Sequence, residues 1–288
     1  MGSLLDSPFS PVVGACLFIG LAFSLFARLV RTPWPASLAA PIVFIVAYYL
    51  TYDKIPTFPP VGATNKIFYI VLAAALAGLL YDLLAPSGFA GSDGRLMTVL
   101  MATASLLVAT WIGLPRFSDT DASLVLTIVA LVLGGTLVLW RLATVDGAGV
   151  MPVNGAVLLA VLPGVFAPIA LFGGSSTSVG LCLGFTAGLS TMALVNLFSP
   201  RALGLTAVLG AGCGLLAVID TITLITRHMD FLALAVFLAV LFTGQIGARA
   251  ALPRHAGPRV RAVATGVMAA ASILVILAIL FLRHESPL

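Results

Sequence analysis

The chain has 288 residues, of which 61% are hydrophobic and 8% charged, and its mean hydropathy is +1.18. A soluble domain of that length has no interior large enough to hide so much apolar surface, so composition excludes a water-soluble protein and points to an all-α, polytopic transmembrane bundle. The net charge of +4 comes from twelve Arg and two Lys with no basic run, which fits helix ends meeting anionic headgroups and gives no sign of a nucleic-acid partner.

A membrane-crossing helix needs about 20 mostly apolar residues. Hydropathy predicts about ten such segments. In chain order they are Pro11–Ala27, Ala36–Tyr52, Ile67–Ala85, Leu96–Leu114, Ser123–Leu142, Val153–Phe172, Val179–Phe198, Ala202–Thr226, Phe231–Gly247 and Ala262–Leu282. The longest predicted connection runs from Asp53 to Lys66. It is too short for a nucleotide-binding or catalytic domain, which needs at least ~50 residues. Residues 1–288 therefore read as one integral membrane domain.

The first segment lacks the basic start of a signal peptide, because residues 1–10 hold no Lys or Arg while Arg28 and Arg31 follow the apolar run. That order predicts an uncleaved first helix with its N-terminus outside. Loops after odd-numbered segments carry nine basic residues and the opposite side five. The excess puts the odd loops in the cytoplasm and both termini outside a plasma or inner membrane. The margin comes from Arg249, Arg254, Arg259 and Arg261.

A faint internal repeat is also present. Leu114-Pro115-Arg116 recurs as Leu252-Pro253-Arg254, Gly78-Leu79-Leu80 as Gly214-Leu215-Leu216, and Pro11-Val12 as Pro152-Val153, while Asp82 is echoed by Asp220. The similar offsets predict repeat halves 11–142 and 152–282. Five is odd, so such halves lie inverted across the bilayer, as in many transporters. Membrane sequences draw on few residue types, and chance matches are the competing explanation.

An ionisable group inside a membrane helix costs at least ~2.5–3.5 kcal/mol and is a functional candidate by default. Asp220, in Val218-Ile219-Asp220-Thr221, is the strongest candidate for a proton, cation or substrate contact. Against it stands a carboxylate that snorkels or pairs with a neighbouring Arg. Asp82, one turn before Pro86, is the second candidate, with a solvated helix end as its bland reading. In the sixth segment, Pro163 and Pro168 each remove a backbone donor, predicting either a kink or a broken helix lining a cavity. Asn196 in the seventh segment could contribute a polar contact to a pathway. Gly180, Gly184 and Gly188, and likewise Gly210 and Gly214, recur every four residues and predict close helix packing. The proline-rich stretch Tyr52–Pro60 predicts a stiff loop at the interface.

Several chemistries lack their residues. Cys16, Cys182 and Cys213 all fall within apolar segments, without the CxxC spacing of zinc or redox sites. His228, His255 and His284 lie at segment ends or in loops, away from where a haem would sit. Neither HExxH nor GxSxG occurs. No cofactor, metal or enzymatic activity is expected.

The reading that best fits is a secondary permease for a small organic or amphipathic solute. In size and helix number the chain resembles drug/metabolite-type permeases, without their sequence pattern and with termini predicted on the opposite side. The alternative is a non-catalytic scaffold or assembly subunit, joining other membrane proteins or a homo-oligomer through its small-residue faces. Low polarity within the helices favours that alternative.

Overall fold

The computed structural model describes residues 9–30, 34–84, 94–119, 121–145, 153–226, 231–252 and 257–284. They form ten helices: α1 Ser10–Leu29, α2 Trp34–Tyr52, α3 Ala63–Leu84, α4 Gly94–Gly113, α5 Ala122–Thr144, α6 Asn154–Phe172, α7 Ser176–Phe198, α8 Leu205–Thr221, α9 Phe231–Ala251 and α10 Pro258–His284. A 3-10 turn, Leu114–Asp119, follows α4, and a π turn, Ile222–Thr226, extends α8. Among the described residues, nine helices are long and apolar enough to cross a membrane, and α9 holds the shorter apolar stretch Phe231–Thr243. The chain is thus a multi-pass integral membrane bundle. Large apolar side chains such as Phe18, Leu107, Leu133 and Leu274 point outward, as a lipid-facing belt requires.

All ten predicted segments lie on these helices. Their ends shift by a few residues because hydropathy marks the greasy interior, while the hydrogen-bond ladder continues into polar flanks. The clearest change is at Lys66. The sequence reading placed it at the end of a loop, but α3 begins at Ala63 and Lys66 is buried within its first turns. The loop before it folds back on α3: Tyr69 Oη donates to the Pro56 carbonyl at 3.2 Å, and Phe58 stacks edge-on against Tyr69. Arg31, Arg227, Arg254, His228 and His255 lie outside the described residues.

Close glycine contacts set the helix directions. Gly188, Gly184 and Gly180 of α7 lie against Val43, Ala47 and Thr51 of α2, so this pair is antiparallel. Gly20 of α1 meets Gly188, and Val12 meets Gly184, so α1 and α7 are parallel. Gly78 of α3 faces Thr206, Ala75 faces Gly210 and Val71 faces Gly214, an antiparallel α3–α8 pair. In α6 and α10, Val157 meets Gly266 and Phe172 stacks on Phe281, a parallel pair. These directions alternate along the chain and bring the start of α1 and the end of α10 to the same side.

α8 is the centre of the bundle. Every residue from Leu205 to Asp220 is buried, against α2, α3, α4 and α5. The sequence explains how it takes neighbours on opposite sides. Gly210 and Gly214 notch one face for Pro41, Phe44, Val71 and Ala75, while Gly212, about 200° round the helix from either, notches the other for Leu139. α6 packs on α7 and α10, and α9 joins α5 through Arg141, whose guanidinium lies 5.3 Å from the Phe242 ring.

Candidate functional site

Two polar regions interrupt this apolar bundle, one at each end of α8. At its C-terminal end lies Asp220, 3% exposed. Nearby hydroxyls are spent on backbone: Thr221 Oγ1 donates to Ala217 O at 2.7 Å and Thr223 Oγ1 to Ile219 O at 2.8 Å. Among the described residues, the Asp220 carboxyl has neither a hydrogen bond nor an ion pair. Arg227, the basic residue nearest to Asp220 in the sequence, lies outside the described residues.

The backbone changes form immediately beyond Asp220. The π turn Ile222–Thr226 widens the helix, and the Arg116 guanidinium donates to the Leu224 carbonyl within it at 2.7 Å. The α3–α8 register described above brings Lys66 level with Ile219 and Asp220. Lys66 is 5% exposed, and its ammonium donates to the Trp111 carbonyl at 2.7 Å.

Two cavities flank this region. One, of about 200 Å³, has walls from Arg116, Asp121, Ser123, Thr127 and Thr223, and Thr223 stands one helical turn from Asp220. Asp121 caps α5, accepting from Ser123 Oγ and the Leu124 amide, both at 2.7 Å. The Ser123 hydroxyl and, next, the Leu124 amide hold its carboxyl below its ordinary value. The second cavity, of about 550 Å³, is an apolar cleft where α3 and α4 splay over α8. Its floor includes Cys213, on the same face of α8 as Asp220 and about 10 Å along the axis.

At the N-terminal end of α8, Asp82 has a different task. Its carboxylate accepts from the amides of Leu205 and Thr206 at 2.9 and 3.0 Å and from Thr206 Oγ1 at 2.6 Å. Ser37 Oγ accepts from the Gly204 amide at 3.0 Å. α2 and α3 thus satisfy the open donors of α8, whose own preceding residue, Gly204, has no side chain to do so. Asp82 and Asp220 stand at opposite ends of one antiparallel helix pair, the first fully engaged and the second without a hydrogen bond or ion pair among the described residues.

Asn196 belongs to the Asp82 end. Its amide oxygen accepts from Arg28 Nη2 at 3.0 Å and the Arg201 amide at 2.9 Å, and its Nδ2 donates to the Arg201 carbonyl at 3.0 Å. α6 runs unbroken through Pro163 and Pro168, so of the two readings, kink or broken helix, the broken helix gives way to a continuous one. Gly180, Gly184, Gly188, Gly210 and Gly214 face neighbouring helices of the same chain. Their stripes are taken up by packing within this chain.

Sequence reasoning missed Lys66, Arg28 and Arg201 as interior groups, counting each only as a topology charge. Only the strongly apolar context after Lys66, Ile67 to Leu80, hinted that its side chain would be drawn inward. Compared with protein-family models and with curated proteins, the chain matches none.

Proposed function

We propose that this chain is a secondary permease for a small amphipathic solute and that Asp220 is its ionisable coupling group. One observation carries the reading: a carboxyl is enclosed in the most buried helix of a membrane bundle, with no hydrogen bond or ion pair to another described residue. Retaining such a group is costly, and it is favourable only if a proton, cation or solute engages it during a cycle. The polar cavity at Thr223 offers space for water within a turn of the carboxyl, and the apolar cleft offers a hydrophobic solute a path from the lipid along the same face of α8.

The π turn Ile222–Thr226 extends α8 beyond Thr221 and is held by Arg116 at the Leu224 carbonyl, next to the polar cavity. The antiparallel α2–α7 and α3–α8 pairs join the two sequence halves 11–142 and 152–282, the pairing that inverted repeats use in alternating access. The excess of Lys and Arg in odd loops assigns the Arg28 end to the cytoplasm and the polar cavity to the opposite side.

The test uses purified protein in liposomes with an imposed pH gradient and three probes: tetraphenylphosphonium, ethidium and a dansylated amino acid. Gradient-driven accumulation of at least one probe is expected, lost in Asp220→Asn while insertion and thermal stability are retained. Equal accumulation in Asp220→Asn, or none above empty liposomes for any probe, overturns the reading.

A further inference from the structure

At the Asp82 end, α1, α2, α7 and the α7–α8 connection enclose a third, smaller space of about 20 Å³. By this measure about 10–15 Å³ accommodates one water-sized particle, so the space suits a single atom or small ion. Its polar lining comes from Ser24, Arg28, Ser37, Asn196 and Arg201. The chemistry of that lining is one-sided. Arg28 and Arg201 bring two guanidinium groups, and no carboxylate lines the space among the described residues. The nearby carboxylate, Asp82, is committed to the amides of Leu205 and Thr206 and to the Thr206 hydroxyl.

The cavity's acceptors are largely spent. Asn196 Oδ1 already receives Arg28 Nη2 and the Arg201 amide, and Ser37 Oγ receives the Gly204 amide, leaving its own proton to donate. Arg28 uses Nη1 on Ser199 Oγ at 2.9 Å and Arg201 uses Nη1 on the Ala27 carbonyl at 3.1 Å. A guanidinium carries five N–H donors, so each retains several. Ser24 Oγ is the most telling atom. It belongs to a residue 5% exposed, lines this space and has no partner. A buried hydroxyl without a partner marks a missing group.

We infer that this space is a binding site for a small monovalent anion, of the size of chloride, held by Arg28, Arg201 and the Ser24 hydroxyl. Such an ion accepts from free donors of the guanidinium groups and from the Ser24 hydroxyl, and it offsets the two like charges that line the space. Phosphate, sulfate and lipid headgroups are too large for the cavity. The site lies at the far end of α8 from Asp220 and is independent of the coupling role proposed for that residue.

The experiment follows thermal unfolding of the detergent-solubilised full chain while sodium chloride replaces sodium gluconate at constant ionic strength. A saturable rise in Tm is expected with chloride and with bromide. Arg201→Gln should abolish it, and Ser24→Ala, which removes only the unpartnered hydroxyl, should shift its midpoint to higher chloride. Should Arg201→Gln fail to fold, the Ser24→Ala midpoint and binding of radiolabelled chloride to wild type by equilibrium dialysis decide the matter. A Tm indifferent to the anion, a wild-type midpoint retained in Ser24→Ala, or stabilisation by anionic lipid without chloride overturns the inference.

Discussion

Asp82 and Thr206 are joined twice, the carboxylate accepting both the backbone amide and the side-chain hydroxyl of the same residue, while one oxygen also holds the Leu205 amide. This contact makes a residue of α3 the cap of α8. It places a negative charge against the positive end of the helix dipole. Asp82→Ala should therefore cost about 2–4 kcal/mol, from charge-assisted hydrogen bonds lost and amides left open. A fall in Tm of the purified protein checks this, with Asp82→Asn falling less because its carbonyl oxygen can still accept. A Tm unchanged in Asp82→Ala would show that the cap is dispensable.

Glycines should divide by what a methyl group would meet. At Gly188 a Cβ runs into Val43 and the Cys16 carbonyl, and the backbone cannot yield as a side-chain tip can. Gly188→Ala should cost about 1–3 kcal/mol. At Gly14 nothing lies within 4 Å, and Gly14→Ala should gain about 0.5–1 kcal/mol from helix propensity. The pair of Tm shifts, opposite in sign, tests the α1–α2–α7 packing. Gly184→Leu or Gly188→Leu likewise reports on this interior and not on partners.

Stability and activity should part at Asp220. Replacing an unpartnered buried carboxyl removes no hydrogen bond or ion pair made by the described residues, so Asp220→Leu should leave Tm equal or higher. Pronounced destabilisation in a thermal melt would instead assign the residue a structural duty. Asp82 gives the opposite pattern in the same assay, which makes the two carboxylates controls for one another.

The α5 cap should respond to acid. Ser123 and Leu124 hold the Asp121 carboxyl below the usual carboxylate range, which is about 3.9 when unperturbed. A lowered value in the folded state means that the cap contributes fully above the unfolded value and is lost as pH falls through the folded one. The Leu124 amide resonance, followed by NMR in micelles, should move in that acidic window and not near neutrality. Asp121→Asn should remove the transition, and Ser123→Ala should raise its midpoint.

Which of these features could be read from the chain depends on the range of the interaction. The ten helices were legible because about 20 consecutive apolar residues are a local signal. The glycine faces were legible as a spacing, though not whether they served this chain or another. The role of Asp82 depends on residues 123 and 124 positions away, and nothing beside it announces them. Asp220 was recognisable as an anomaly, but its isolation depends on where Thr221 and Thr223 send their protons. Lys66, Arg28 and Arg201 were obscured by the rule that counts every basic residue near a helix end toward topology. That rule is blind to a side chain that turns inward to a carbonyl or an amide.

The neighbours of α8 carry a consequence for biosynthesis. α2, α3, α4 and α5 all precede it in the chain, so the ribosome has released the helices that form its main socket before the aspartate-bearing segment emerges. A late arrival can slide from the translocon into a waiting protein sleeve and spare its carboxylate any stay among fatty chains. Nascent chains arrested just short of Leu205 should accordingly hold an open groove, sealed only when the next helix is delivered.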